Sequence, residues 1–217
     1  MPTLDLLVVC HAQSEGNAQG AFGGHGPTPL SERGRLQAER LAAALVAEAE
    51  PETRWAIWSS DLPRAIETAT PLATRAGVVL KTTPALRERD VGVFTGLPFA
   101  EAERRYPEIY RALIARDPSA AIPGAETPAA CASRAAALCE RAIAELDDDA
   151  AAPTRLVLVS HAYAINLMLR RLLRIGDGTP EIFFQTDNAA VHRLRISAQG
   201  TWTLRAVNDR AHLGDAA

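Results

Sequence analysis

Two apolar runs in this chain end in histidine. Leu6-Leu7-Val8-Val9 leads into Cys10-His11-Ala12, and Leu156-Val157-Leu158-Val159 leads into Ser160-His161-Ala162. A short continuous run of this kind, with no alternation of polar residues, reads as a strand buried on both faces, the signature of a parallel sheet covered by helices. In such sheets the functional groups gather at the carboxyl ends of the strands. A loop or helix N-terminus follows each run, and its free N–H groups favour anions. Two imidazoles in that position point to phosphate chemistry.

The rest of the chain alternates strand and helix in the way a parallel sheet requires. After the first strand, Leu4–Val9, Ser31 is positioned to cap a helix reaching about Ala49, with Leu36, Leu41 and Leu45 on or near one face. Trp55–Ser59 reads as a second strand. Asp61 is placed to cap the next helix, which has Pro63 in its first turn, Ile66 and Leu72 as apolar positions, and Gly77 as its stop. A third strand is expected at Val78–Thr82 and helices over 98–116, broken around Pro107. A turn over Pro118–Pro128 and an Ala-rich helix over Pro128–Leu146 follow, the helix ending in the acidic run Asp147-Asp148-Asp149. The second histidine-bearing strand feeds a helix over Tyr163–Leu173, and strands at Val191–Ile196 and Thr201–Val207 close the chain. The expectation is a single α/β domain over residues 1–217, built as three α/β/α layers around a mostly parallel central sheet.

Composition narrows the partners. Hydrophobic residues make up 47% and charged residues 23%, with a net charge of −3, and no basic block is present. Nucleic acid and anionic membrane surfaces are therefore not expected partners. No leader-like segment or membrane-length apolar stretch is visible, so a cytoplasmic location is the default expectation. Cys131 and Cys139 lie about 12 Å apart if helical, too far for a disulfide, and all three cysteines are expected as thiols. No histidine pair has metal-ligand spacing, so neither a metal nor an organic cofactor is expected.

Further motifs accompany the two histidines. Ser14-Glu15-Gly16-Asn17 follows His11; Thr28-Pro29-Leu30-Ser31 precedes Gly34 and Gln37-Ala38; Ser59-Ser60-Asp61-Leu62-Pro63-Arg64-Ala65 precedes Glu67-Thr68-Ala69. Leu86-Arg87-Glu88 precedes Gly92, Phe94 and Gly96, Pro123-Gly124-Ala125-Glu126-Thr127 follows, and Asn188–Val191 and Asn208-Asp209 with His212-Leu213 lie near the C-terminus. In order and spacing this set resembles the histidine phosphatase superfamily, the phosphoglycerate mutase-like proteins, over nearly the whole chain. The stretch Ala100–Ser119 is short for a mutase of that family, so the phosphatase branch is the better match.

The resemblance implies a phosphomonoester hydrolase. His11 would attack phosphorus as a neutral imidazole. Glu88 would protonate the leaving oxygen and later activate water, which requires a carboxyl protonated near neutral pH. Arg64 and His161 would hold the phosphoryl oxygens, with Asn17 and Ser14 as neutral substrate-binding groups. The partner expected is a small-molecule phosphomonoester, and a homodimer is admissible. Phe22, Phe94, Leu97, Phe99 and Tyr106 suggest an entrance suited to a bulky, partly apolar leaving group. His25 reads as a loop residue, and His192 and His212 as structural.

Position 10 departs from the pattern. The family places an arginine before the nucleophilic histidine, and this chain has Cys10. A thiol cannot reproduce a charged, forked donor set. Loss of one such donor commonly costs about 10²–10³-fold in rate. Three readings stay open. The chain is a slower or narrower phosphatase, compensated by Arg87, Arg89, Arg33 or His25; or the pocket serves a less charged ligand or other acid–base chemistry; or it is a phospho-ligand-binding pseudoenzyme. A nucleophilic Cys10 would need the turn to bring it to the side of His11, because adjacent strand residues point oppositely.

Overall fold

β1 (Leu4–Cys10) is buried along nearly its whole length because helices cover both of its faces. The structure, a computed structural model, describes residues 3–115, 121–146, 154–176 and 182–216. The acidic run at 147–149, the start of the turn at Pro118 and the end of the 100–119 stretch lie outside the described residues.

After β1 come a one-turn helix α1 (Glu15–Ala18), α2 (Glu32–Ala47), β2 (Arg54–Ser60), α3 (Pro63–Ala76) and β3 (Lys81–Thr83). Two short 3₁₀ turns, Pro84–Leu86 and Gly92–Phe94, lead to α4 (Phe99–Arg105) and α5 (Pro107–Ile114). The chain continues through α6 (Pro128–Ala144), β4 (Thr154–Ser160), α7 (Ala162–Leu172), β5 (Val191–Ile196) and β6 (Trp202–Asp209), then a closing 3₁₀ turn, Ala211–Ala216. The sheet order is β3-β2-β4-β1-β5-β6. β3, β2, β4 and β1 run parallel, and β5 and β6 add antiparallel pairings at one side. The mostly parallel α/β expectation holds.

Alternation along β1 divides the core. Leu4, Leu6, Val8 and Cys10 pack with α6 and α7, against residues such as Ala135, Leu138, Ile165 and Met168. Leu7 and Val9 pack with α2 and α3, against Leu41, Leu45, Ala69 and Leu72. Burying one such aliphatic side chain is worth about 1.5–3 kcal/mol, so each layer contributes strongly.

Local expectations fail where tertiary partners outrank local pattern. Asp61 does not cap α3; the N-cap is Leu62, without a side-chain bond, and the Asp61 carboxylate is instead held bidentately by Arg87, both bonds 2.7 Å. Leu36 is largely exposed, and the buried face of α2 runs through Gly34, Gln37, Ala38, Leu41, Ala42 and Leu45. The third strand starts later than Val78. Gly77 takes the left-handed conformation and the Val78 N–H still bonds the Ala73 carbonyl, so the chain leaves α3 only beyond Val78; Val79 is 85% exposed. Among the described residues, no helix is long and apolar enough to cross a membrane.

Candidate active site

Register places the two histidines side by side. Cys10 pairs with Ser160 across β1 and β4, and the His11 N–H donates to the Ser160 carbonyl at 2.9 Å. The imidazoles emerge at the carboxyl ends of these central strands with ring centroids 5.0 Å apart.

The turn after His11 is clamped by α2 and α3. The Ala12 N–H donates to Thr68 Oγ1 at 3.0 Å, and the Gln13 N–H to Gln37 Oε1 at 2.9 Å. Gly34 sits so close to this turn that a Cβ there would fall 1.9 Å from the Gln13 carbonyl oxygen, so no larger residue fits. Ser14 caps α1: its hydroxyl accepts from the Asn17 N–H at 3.1 Å and donates to Asn17 Oδ1 at 3.0 Å. Asn188 Nδ2 also donates to that oxygen, at 3.2 Å. With Oδ1 engaged, the Asn17 amide nitrogen is what that side chain has to offer a ligand.

His11 is held as a neutral base. Its Nδ1 donates to the Ala12 carbonyl at 2.7 Å, which leaves a lone pair on Nε2. Burial and then the Arg64 charge push its pKa down to about 3, against the opposing pull of the Ala12 carbonyl. Arg64, 2% exposed, donates from Nε to His11 Nε2 at 3.3 Å. Its Nη1 and Nη2 donate to the carbonyls of Gly26 and Gly24, both at 2.8 Å. His161 is fully buried, and its pKa is held well below the ordinary value by burial and then by the Arg64 charge. Its Nε2 lies 2.8 Å from Ser60 Oγ, while its Nδ1 is buried without a hydrogen-bond partner.

Glu88 reaches the N-terminus of α7. Its carboxylate accepts from the Ala164 N–H at 2.9 Å, the Tyr163 N–H at 3.2 Å and its neighbour Arg89 N–H at 2.8 Å. The helix terminus that the sequence marks as an anion site is thus occupied by this chain's own carboxylate. Cys10 belongs to the α6–α7 side of the core but touches the cavity. Burial first, then the Glu88 charge, pushes its thiol far above the ordinary range, so it stays protonated.

These groups meet in one cavity of about 440 Å³. His11, Arg64, Glu88 and Cys10 lie on its wall, with Ser14 and Asn17. His161 is not on the wall; it stands beside His11. Gln13, Arg33, Gln37, Thr186, Asp187 and Arg210 complete a polar lining. Phe22, Phe94, Leu97, Phe99 and Tyr106, expected as an apolar entrance, are not on the wall of this cavity. Phe22, Phe94, Leu97 and Tyr106 pack in one cluster with residues of α4 and α5, and the exposed Phe99 stacks on Phe22, with Phe22–Phe94 and Phe22–Phe99 centroids 5.0 and 4.8 Å apart. Mutual stacking removes more apolar surface from water than lining a cavity would.

Of the four cations weighed as compensation for Cys10, Arg33 lines the cavity. Arg87 is held by Asp61, and Arg89 donates to the Glu126 carbonyl at 2.7 Å with its guanidinium over Tyr163. His25 is more than a loop decoration. Its Nε2 contacts the Glu88 carbonyl at 2.9 Å and its Nδ1 lies 3.6 Å from Asp90. Arg210, paired with Asp187 at 3.0 Å, and Ser60 are site residues to which sequence reasoning gave no role, although both lie inside quoted motifs. His192 is buried with Nε2 3.1 Å from Thr186 Oγ1, as a structural residue would be, and His212 bonds the Ala189 carbonyl.

Three buried neutral imidazoles carry a consequence for pH. His11 and His192 have pKa values lowered by burial to about 3 and about 4, and His161 is lowered too, from an ordinary 6.5. Below pH 6.5 the unfolded chain binds protons that the folded chain does not. Stability is therefore full above that pH and falls as pH drops toward 4, by roughly 1.4 kcal/mol per pH unit for each histidine. Urea unfolding is expected to show a falling midpoint between pH 7 and pH 5; a flat midpoint would contradict the buried, neutral assignment.

A profile of the histidine phosphatase superfamily (branch 1) matches residues 6–210. "Phosphoglycerate mutase-like protein 4" of Arabidopsis thaliana is 30% identical over 211 residues, covering 96% of this chain and 86% of that protein. "Phosphoserine phosphatase 1" of Hydrogenobacter thermophilus is 28% identical, covering 97% of this chain and 94% of that protein. Some mycobacterial relatives, 30% identical, are longer, and this chain spans 54% of their length. Among solved structures, mycobacterial glucosyl-3-phosphoglycerate phosphatase with VO3 superposes with a TM-score of 0.77 at 28% identity, covering 94% of this chain and 98% of that one.

Proposed function

Because this chain belongs to the histidine phosphatase superfamily, branch 1, we propose that it hydrolyses small phosphomonoesters through a phosphohistidine on His11. The observation that carries the reading is the state of His11: a neutral imidazole whose Nδ1–H is fixed by the Ala12 carbonyl, leaving the Nε2 lone pair beside Arg64 on the cavity wall.

As substrate draws the Arg64 Nε–H off His11 Nε2, that lone pair attacks phosphorus. The P–O ester bond breaks as the Glu88 carboxylic acid delivers its proton to the leaving oxygen, becoming the carboxylate that the Tyr163 and Ala164 N–H groups hold. Glu88 then takes a proton from water, the water oxygen bonds phosphorus, and the P–N bond breaks to restore neutral His11 and release inorganic phosphate. Arg64 balances the phosphoryl charge by exchanging the Gly24 and Gly26 carbonyls for phosphoryl oxygens. His161 stands beside His11 as a second neutral imidazole, just off the cavity wall. Its Nε2 lies 2.8 Å from Ser60 Oγ, which also accepts the Leu62 N–H at 3.3 Å, and its Nδ1 has no partner. Cys10 takes the place of the family's arginine as a neutral thiol, and the remaining cations of the lining are Arg33 and Arg210. The polar lining supports a polar leaving group.

The competing reading is a phospho-ligand binder without turnover, which draws on the engagement of Arg64 with its loop carbonyls. Trapping separates them. Brief incubation with a labelled phosphomonoester panel and an alkaline quench is expected to leave acid-labile, alkali-stable label on the His11 peptide. Ester binding with neither label nor phosphate release would leave only the binder.

A further inference from the structure

Glu88 stands on a segment with little regular structure of its own. Between the 3₁₀ turns Pro84–Leu86 and Gly92–Phe94, the backbone of residues 87–91 belongs to neither helix nor strand. Irregular backbone of this kind is the first to shift unless side chains tie it down. For the reaction proposed above, the Glu88 carboxyl must stay within reach of the leaving oxygen.

One side chain from the neighbouring helix grips that segment. Arg134, on α6, is not on the cavity wall. Its Nη1 donates to the Ala85 carbonyl at 2.9 Å and the Arg87 carbonyl at 2.8 Å, and its Nη2 to the Glu88 carbonyl at 2.9 Å. The guanidinium is itself held by Glu126, whose two oxygens accept from Nε and Nη2 at 2.7 Å each. All five N–H donors are thereby engaged, and Cys131 Sγ lies 3.3 Å from Nη2. Glu126 is fixed in turn: its N–H bonds the Asp90 carbonyl at 3.0 Å, and its carbonyl accepts from Arg89 at 2.7 Å. Every backbone carbonyl that Arg134 contacts lies within 85–88. The pair thus holds the Glu88 segment through its backbone, without standing on the cavity wall.

We infer that Arg134, locked in place by Glu126, is a positioning residue for Glu88 that sets where the proton is delivered. This inference rests on the reading of Glu88 as the general acid. Lysine cannot substitute: an ammonium has three donors and no planar fork, and the arrangement uses five.

The leaving group reports the role. An aryl phosphate such as p-nitrophenyl phosphate departs with little need of a proton, whereas a simple alkyl phosphate depends on the acid. With kcat/KM as readout, Arg134→Gln is expected to lose about 10²-fold on the alkyl ester, the cost of misplacing a catalytic group by roughly 1 Å. On p-nitrophenyl phosphate it is expected to stay near wild type. Arg134→Lys should behave as Arg134→Gln, and Glu126→Gln should move the same ratio in the same direction. Equal losses on both esters, or no loss on either, overturn the inference. Glu88→Gln serves as the reference. If it shows the alkyl-specific loss and the Arg134 variants do not, the positioning role alone fails; if it shows none, the acid role of Glu88 fails and the inference with it. Circular dichroism checks folding; should Arg134→Gln not fold, the ratio is read from Glu126→Gln. Wild type inactive on every ester removes the phosphatase reading and this role together.

Discussion

Replacing His11 by alanine is expected to reduce phosphomonoester turnover toward the uncatalysed background, on the order of 10⁴–10⁶-fold, the scale at which loss of a nucleophile acts. The cost is large because no neighbour can take over. Cys10 reaches the cavity wall but burial holds it as a thiol, and His161 lies off the wall with Nε2 engaged by Ser60. Stability at neutral pH should fall modestly, since the lost imidazole leaves a cavity and takes the acceptor from the buried Arg64 Nε–H. Steady-state assays with His11→Ala beside wild type, together with the thermal midpoint, give both readouts. Substantial activity surviving in a folded variant would exclude the phosphohistidine route.

The second large effect is a gain. Cys10→Arg is expected to raise kcat/KM on phosphomonoesters by about 10²-fold, the amount one preorganised charged donor contributes. The physical basis is the shortage of charge at the phosphoryl position: Arg64 is the deeply buried cation on the wall, and its two terminal nitrogens are held by Gly24 and Gly26. The same change should cost about 1–3 kcal/mol of stability without ligand, because a longer side chain and a second guanidinium enter a packed site. Inorganic phosphate should recover much of that loss, as any ligand specific to the folded state does. A folded Cys10→Arg that is less active than wild type would show instead that the thiol suits the native ligand.

The strand–helix alternation and the histidine-bearing strand ends were legible in sequence because both depend on local patterns of two or four residues. What the sequence hid lies in contacts between distant segments. Asp61 precedes Pro63 as a capping residue would, yet Arg87 takes its carboxylate, and no local rule anticipates that pairing. Gln37 is buried in preference to Leu36 because its side-chain oxygen receives the Gln13 N–H. The aromatic residues near position 94 are hydrophobic in either reading; only packing decides that they face one another and not the cavity. The roles suggested for Ser60, Arg210 and Arg134 likewise depend on partners far along the chain.

The strand order has a consequence for how the molecule forms. β1 lies between β4 and β5, both from the last third of the chain, whereas β2 and β3 pair early with each other. On a ribosome, the aliphatic side chains of Leu4–Val9 wait without a hydrogen-bonded neighbour until Thr154–Ser160 has emerged. Contacts this distant in sequence slow folding and prolong exposure of a sticky segment. The strand that delivers His11 is made well before the strands that secure it, so a chain halted before Ser160 would hold an unpaired, aggregation-prone strand with no second imidazole to meet it.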